Sequence, residues 1–284
     1  MNIKSFGIIG GDKRQLYCAR SIADDGYGVL LAGFEAYPEK HGLNNTDAAD
    51  VIKHSDALLL PLPVSKDGKN IFAPYSEKEM DVRELIALYS GNKPVFCGIN
   101  GSLDESVLKK TNFFRYSSRE EFAAANAVPT AEGAIEIAMH EYSGTINGSV
   151  CLVAGFGKIG RVLSPILHSM GADVTVAARQ LKDRELIKAA GMKSCPTSPI
   201  TGKYNIIFNT IPYEIFDAHT LAKCASDALV IDLASMPGGI DDKAAARMDI
   251  SVIHALSLPG KAAPKTAGII IKNAVYNIIE EEDL

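Results

Sequence analysis

The sequence predicts an α/β protein built from two Rossmann-like, doubly wound parallel-sheet domains with a cleft between them. Three observations predict it. Short apolar runs alternate with helix-like stretches along the chain, the pattern of repeated βαβ units. The string Gly155-x-Gly157-x-x-Gly160 lies between an apolar run and a helix-like stretch. And 284 residues suffice for two domains of ordinary size.

Taken in order, Phe6-Gly-Ile-Ile-Gly10-Gly11 reads as a strand entering a turn, followed by a helix over 13–24. Val29 opens a second strand, and Ala57-Leu-Leu-Leu-Pro-Leu-Pro a third that ends at its prolines. A helix is expected over 77–89 and a strand from Pro94 to Gly98, so that a first domain covers 1–125. Pro129 then opens a helix over 130–142 with Thr130 at its cap or first turn. It belongs to an interdomain segment, 126–145. The second βαβ set covers 146–265, with strands starting at Val150 and ending at Arg179, then over 205–209, 228–232 and 251–254. A last helix from about Thr266 to Glu281 lies in a segment, 266–284, expected to pack back on the first domain.

A hydrophobic share of 47% and a charged share of 22% fit a soluble globular protein. The net charge of −5, with no long basic run, argues against nucleic acid or an acidic membrane surface as partner. No apolar run reaches transmembrane length, and the early strand leaves no signal-peptide layout. The scattered cysteines (Cys18, Cys97, Cys151, Cys195 and Cys224) form no C-x-x-C or Cys/His cluster. No metal site is expected, and unpaired thiols suit a reducing cytoplasm.

Gly155 permits the tight turn, Gly157 lets the backbone approach a pyrophosphate, and Gly160 lets helix and strand pack closely. The pyrophosphate would meet the helix N-terminus at Lys158 and Ile159. NAD-binding folds place Asp or Glu at the end of the next strand; here Ala177, Ala178 and Arg179 stand there. A guanidinium in place of a carboxylate favours NADP, with NAD possible if Arg179 is only a solvated surface residue. Asn209-Thr210-Ile211-Pro212 would flank the nicotinamide-ribose end, with Ser235 in the following loop.

Ligands bind beyond the carboxyl ends of parallel strands, so these loops should face one cleft. Gly10-Gly11 followed by Arg14 reads as a second anion site, or as a turn with a solvated arginine. Lys261 and Lys265, in a proline-bounded loop, suit an anionic substrate or a cofactor phosphate, or are surface lysines. Asp232 reads as a buried strand-end acid. Glu132 reads as a first-turn carboxylate on its own helix dipole, or as a proton acceptor.

The strings Ile9-Gly-Gly-Asp-x-Arg-Gln15, Pro129-Thr-x-Glu-Gly133, Gly155-x-Gly157-x-x-Gly160, Asn209-Thr-Ile-Pro212, Asp232-Leu-Ala-Ser-x-Pro-Gly-Gly239 and Leu258-Pro-Gly-Lys-x-Ala-Pro-Lys-Thr-Ala-Gly268 occur in this order. Together they resemble the dipicolinate synthase A-subunit family of spore-forming bacteria, over nearly the whole chain. The resemblance implies oxidation of dihydrodipicolinate, or its hydroxylated tetrahydro precursor, to pyridine-2,6-dicarboxylate. It implies the flavoprotein-like dipicolinate synthase B-subunit for a partner and the mother-cell cytoplasm of a sporulating bacterium as location. A dianionic substrate fits Arg14, Gln15, Lys261 and Lys265 as anchors, and Asp12, Ser65 and Glu132 are the candidates for proton handling. A homo- or hetero-oligomer is expected.

Two other readings stay open. A dehydrogenase of the 2-hydroxy-acid or alanine type needs a histidine with a carboxylate partner, or a comparable base, in the cleft, and His254 has no such partner in local sequence. A non-catalytic binding protein would hold nucleotide or substrate while a flavin on the B-subunit carried the redox step.

Overall fold

In each half of the chain an apolar strand, buried along nearly its whole length, runs into a glycine turn, and a parallel sheet grows around it. The computed structural model describes residues 3–39, 42–89, 92–225 and 227–284. Contacts divide the chain into two units, Met1–Ala125 with Ala263–Leu284, and Asn126–Ala262.

The first unit contains β1 (Ser5–Ile9), α1 (Lys13–Asp24), β2 (Gly28–Ala32), β3 (Asn44–Asn45), α2 (Ala48–His54) and β4 (Ala57–Leu59). α3 (Val82–Leu88), β5 (Pro94–Cys97), α4 (Glu105–Leu108) and β6 (Asn112–Arg115) follow. The strand order is β3-β2-β1-β4-β5-β6, all parallel. Side chains alternate across this sheet with the period of two that a strand imposes. Phe6, Ile8, Leu31 and Phe96 enter one core with Leu16 and Ile22 of α1, whereas Ile9, Ala32, Leu58 and Val95 enter another with Val51 and Ile52 of α2. The chain entering β1 is pinned by Asp56, whose Oδ2 accepts Lys4 N, Ser5 N and Ser5 Oγ, each at 2.9 Å.

α5 (Glu120–Glu141) leads into the second unit. There follow β7 (Val150–Ala154), α6 (Lys158–Ser169), β8 (Asp173–Ala177), α7 (Leu181–Ala189), β9 (Lys193–Cys195) and β10 (Ile206–Asn209). α8 (Ala218–Leu221), β11 (Leu229–Asp232), α9 (Asp242–Arg247), β12 (Ser251–His254) and α10 (Leu258–Ala262) complete it. The order β12-β11-β10-β7-β8-β9 is again all parallel. Renumbered within its unit it repeats the order of the first, the 3-2-1-4-5-6 arrangement of dinucleotide-binding folds. The predicted fold class is the observed one.

α11 (Pro264–Glu281) belongs to the first unit, where Ile271, Ala274, Val275 and Ile278 join the core of α1. The approach of the two helices is close. A Cβ at Gly268 would stand 2.5 Å from the Arg14 carbonyl and 2.7 Å from Cys18 N. Among the described residues, no helix is long and apolar enough to cross a membrane.

Several sequence expectations are corrected. The helix expected to start at Pro129 starts at Glu120 and runs through Pro129. Proline inside a helix deletes one hydrogen bond and costs roughly 3 kcal/mol. Here burial outweighs that cost: Phe122 is in the core of the first unit, and Ala131, Ala134 and Ala138 are in that of the second. Thr130 therefore does not cap; its hydroxyl donates to Asn126 O at 2.6 Å, four residues back. Glu132 is mid-helix, so the first-turn explanation of its charge fails. The helix expected over 77–89 shrinks to α3, because the Asp81 carboxylate accepts Arg83 N at 2.8 Å and fixes the start there. The loop expected around Lys261 and Lys265 is two helices, with Lys261 in α10 and Lys265 in the first turn of α11.

Candidate functional site: a dinucleotide groove and a polar strand edge

The topological switch point, where strand order reverses and ligands settle, falls between β7 and β10 in the second unit. Gly155 turns there with φ +105°, a conformation that favours glycine. A Cβ on Gly155 would collide with Thr210 Oγ1, and one on Gly160 with the Gly155 carbonyl. A Cβ on Gly157 would meet nothing within 4 Å, so open space lies over the helix end.

That end is chemically unfinished. Gly157 is the N-cap of α6 and makes no side-chain capping bond. A Ser, Thr or Asp at this position would offer the first turn a side-chain acceptor, and glycine offers none. The helix dipole adds partial positive charge at the same place. Anions in general, pyrophosphates among them, are favoured at such a helix end.

A groove of ≈ 280 Å³ runs from here to the end of β8. Gly155, Gly157, Arg179, Thr210, Ile211 and Pro212 line it together, so most of the predicted nucleotide residues do meet around one space. Ala177 and Ala178 are buried and Arg179 is exposed, so the usual strand-end carboxylate is replaced by a cation. Asp183, which sequence reading missed, also lines the groove, held by Arg161 at 2.9 Å.

Asn209 lies beneath the groove. Its Nδ2 donates to Ile211 O at 3.0 Å and to Asp232 Oδ1 at 2.8 Å, and its Oδ1 accepts Ile211 N at 3.1 Å. It shapes the turn that presents Thr210, whose hydroxyl bonds Ala154 O at 2.9 Å. Ser235 is exposed in the loop after β11 and is not part of the groove lining. Asp232 is the buried strand-end acid, accepting Asn209 Nδ2, Ala234 N and Gly239 N. His254 does have carboxylate partners, contrary to the local-sequence reading. Nε2 lies 2.8 Å from Asp242 Oδ1 and Nδ1 lies 3.5 Å from Asp232 Oδ2. Both partners come from neighbouring elements, where a search of flanking residues does not reach. Glu132 faces a different hollow, with Ile135, Met139, Ile166 and Met170.

The corresponding edge of the first unit is built differently. Asp12 caps α1, and its Oδ1 accepts Arg14 N at 3.0 Å. Gln15 Oε1 accepts Asp12 N at 3.0 Å and closes a capping box. The helix end is already filled by the chain's own carboxylate, so the second anion site expected at Gly10-Gly11 is not formed at these N–H groups. Arg14, only 6% exposed, is not solvated: Nε and Nη2 bind Asp12 at 2.9 and 2.8 Å, and Nη2 also donates to Leu62 O at 2.6 Å. Gln15 Nε2 is buried without a well-formed hydrogen bond and faces the oxygen of the Tyr116 hydroxyl, which donates to Leu60 O at 3.1 Å. Ser65 is fully buried; its hydroxyl donates to Asp67 Oδ1 at 2.9 Å and accepts Gly68 N at 3.1 Å. The Lys69 and Asn70 N–H groups, the Asn70 amide and Ser65 hold the Asp67 carboxyl well below the usual range. Ser65 is thus committed to a turn.

Fold and groove together define a nicotinamide-nucleotide-binding, dehydrogenase-type oxidoreductase. Residues 120–246 match the family described as D-isomer specific 2-hydroxyacid dehydrogenase, NAD binding domain, and residues 5–114 match the N-terminal domain of the dipicolinate synthase A-subunit. The chain belongs to the dipicolinate synthase A-subunit family: it is 30% identical to the crystal structure of that protein from Bacillus halodurans, with a TM-score of 0.87 and 97% of each chain covered. It is 28% identical to the dipicolinate synthase A-subunit of Bacillus subtilis, over 96% of this chain and 95% of that one. A transhydrogenase from Sinorhizobium meliloti shares the fold, with a TM-score of 0.73, 15% identity and coverage of 98% and 94%.

Proposed function

We propose that this chain acts as a dipicolinate synthase A-subunit, oxidising dihydrodipicolinate or its hydroxy-tetrahydro precursor to dipicolinate. NADP is the preferred cofactor and NAD the alternative. The partner is a flavoprotein-like B-subunit, and the setting is the mother-cell cytoplasm during sporulation. The observation that carries the reading is the uncapped α6 terminus at Gly157, opening on a groove with Arg179 at its ribose end. The names of the relatives supply the substrate.

A nicotinamide cofactor, when bound, supplies the hydride acceptor. The N–H groups at Lys158 and Ile159 would hold its pyrophosphate and Arg179 a 2′-phosphate, with Thr210, Ile211 and Pro212 beside its nicotinamide-ribose end. Arg14 Nη1 offers a donor to one substrate carboxylate, and Gln15, fully buried behind it, closes the capping box that holds Asp12. Lys265, in the first turn of α11, serves the other carboxylate and adds charge to the positive end of that helix. Aromatisation removes one hydride and one proton from adjacent ring atoms, and the hydroxylated precursor must also lose water. We assign the proton to Asp12, a carboxylate at the carboxyl edge of β1 beside Arg14, over the Ser65 hydroxyl, which is held in its turn, and over Glu132, which faces a mostly apolar hollow.

The test mixes purified chain, fresh dihydrodipicolinate and NADP⁺ or NAD⁺, with and without the B-subunit, and follows absorbance at the nicotinamide and dipicolinate bands. Dipicolinate with stoichiometric reduced NADP from this chain alone supports the reading. Dipicolinate that requires the B-subunit, with no reduced nicotinamide formed, moves the redox step to the flavin. The His254–Asp232 pair favours a second reading, a 2-hydroxy-acid type of dehydrogenase. Turnover of 2-hydroxy acids, lost in His254→Asn, would support it instead.

A further inference from the structure

We propose that Arg161 sets the phosphate preference of the cofactor site by masking Asp183; the inference rests on the NADP reading above. Asp183 lines the groove together with Arg179 and Gln180, at the end where the adenosine ribose belongs. It stands six residues beyond the end of β8, in the first turn of α7, rather than at the strand end itself. A bare carboxylate there accepts a hydrogen bond from a ribose 2′-hydroxyl and repels a 2′-phosphate. Left unmasked, Asp183 would oppose the preference that Arg179 favours.

Arg161 removes that opposition. Its Nη2 lies 2.9 Å from Asp183 Oδ1; the Arg161 side chain is half exposed and that of Asp183 only 14%, so water screens the carboxylate side of the pair less than an open surface would. The guanidinium is not a loose surface cation. Nε donates to the Phe156 carbonyl at 3.0 Å, and the group lies over the Phe156 ring, 4.8 Å from its centroid. Phe156 sits inside the glycine turn, so the element that shapes the pyrophosphate site also fixes the group that neutralises Asp183. Arg161 acts through Asp183 and is a positioning residue for specificity.

The test is calorimetric binding of adenosine 2′,5′-bisphosphate and adenosine 5′-monophosphate to the full chain, with thermal melting to confirm folding. Wild type binds the bisphosphate more tightly. Arg161→Ala lowers that preference by roughly tenfold, the effect of exposing one unit charge near the phosphate. Asp183→Asn alone keeps the preference, and Arg161→Ala with Asp183→Asn restores it. A wild type without preference overturns both this inference and the NADP reading. A wild-type preference that survives Arg161→Ala overturns this inference alone. So does a loss that Asp183→Asn fails to rescue, because Arg161 would then touch phosphate directly.

Discussion

Asp12 grips Arg14 along one edge of its guanidinium, at 2.9 Å to Nε and 2.8 Å to Nη2, while the same carboxylate caps the helix that carries Arg14. The equivalent cap in the second unit is Gly157, with no side chain to offer. Two sheets of one topology are thereby separated by one residue type. The first fills its helix end with its own carboxylate, and the second has no side chain at the cap to do so.

Removing the guanidinium leaves Asp12 without its charge partner. Arg14→Ala is expected to cost roughly 1–3 kcal/mol of stability, measured by denaturant unfolding, and to weaken dicarboxylate binding. Unchanged substrate affinity in a folded Arg14→Ala protein removes Arg14 from the anchor set.

Gly157→Asp would copy the first unit into the second. The new carboxylate should cap α6 and exclude the pyrophosphate, lowering dinucleotide affinity at least about tenfold while stability changes by only a few tenths of a kcal/mol. Fluorescence titration of the reduced dinucleotide alongside a thermal melt separates the two effects; retained affinity would place the phosphates elsewhere.

Ser65→Ala distinguishes a turn from a proton carrier. The hydroxyl binds Asp67 and Gly68 N, so its loss should cost about 1 kcal/mol and leave kcat within about twofold. A collapse of kcat with normal stability would restore Ser65 as a catalytic group.

Gly268→Ala places a methyl 2.5 Å from the Arg14 carbonyl. Backbone cannot yield as a flexible side chain does, so a loss of about 1–3 kcal/mol is expected, seen as a lower Tm. No change in Tm would mean that α11 slides freely on α1.

The Lys4 and Ser5 N–H groups and the Ser5 hydroxyl hold the Asp56 carboxyl below its usual range. A depressed folded-state pKa stabilises above the unfolded value, near 4, and that contribution is lost as pH falls through the folded value. Asp56→Asn should therefore be less stable than wild type at neutral pH, with a gap that closes on acidification below about 4. A gap independent of pH would assign the effect to shape instead of charge.

The central strands, the glycine motif and helix α1 were legible because burial on both faces and turn chemistry are local signals. The edge strands β3, β6 and β9 were not, since Asn44–Asn45, Asn112–Arg115 and Lys193–Cys195 are short and partly polar, and pair on one side only. The run of α5 through Pro129 was hidden because packing overrode a local breaker. At the site, Arg179 and Gly157 could be read from spacing. The partners of Arg14, Asp183 and His254 could not all be read that way. Asp12 stands two residues from Arg14, but its dual role needed the cap geometry, and Arg161 and Asp232 lie 22 residues from Asp183 and His254.

α11 is made after the second unit, yet it completes the unit made before it. During synthesis on the ribosome, residues 126–262 can close their own core while the face of α1 that receives Ile271, Val275 and Ile278 still waits uncovered. The order of translation and the order of completion are therefore reversed. A ribosome that stalls after α10 would leave a finished nucleotide-binding unit tethered to an unfinished partner, with an apolar surface for chaperones to recognise.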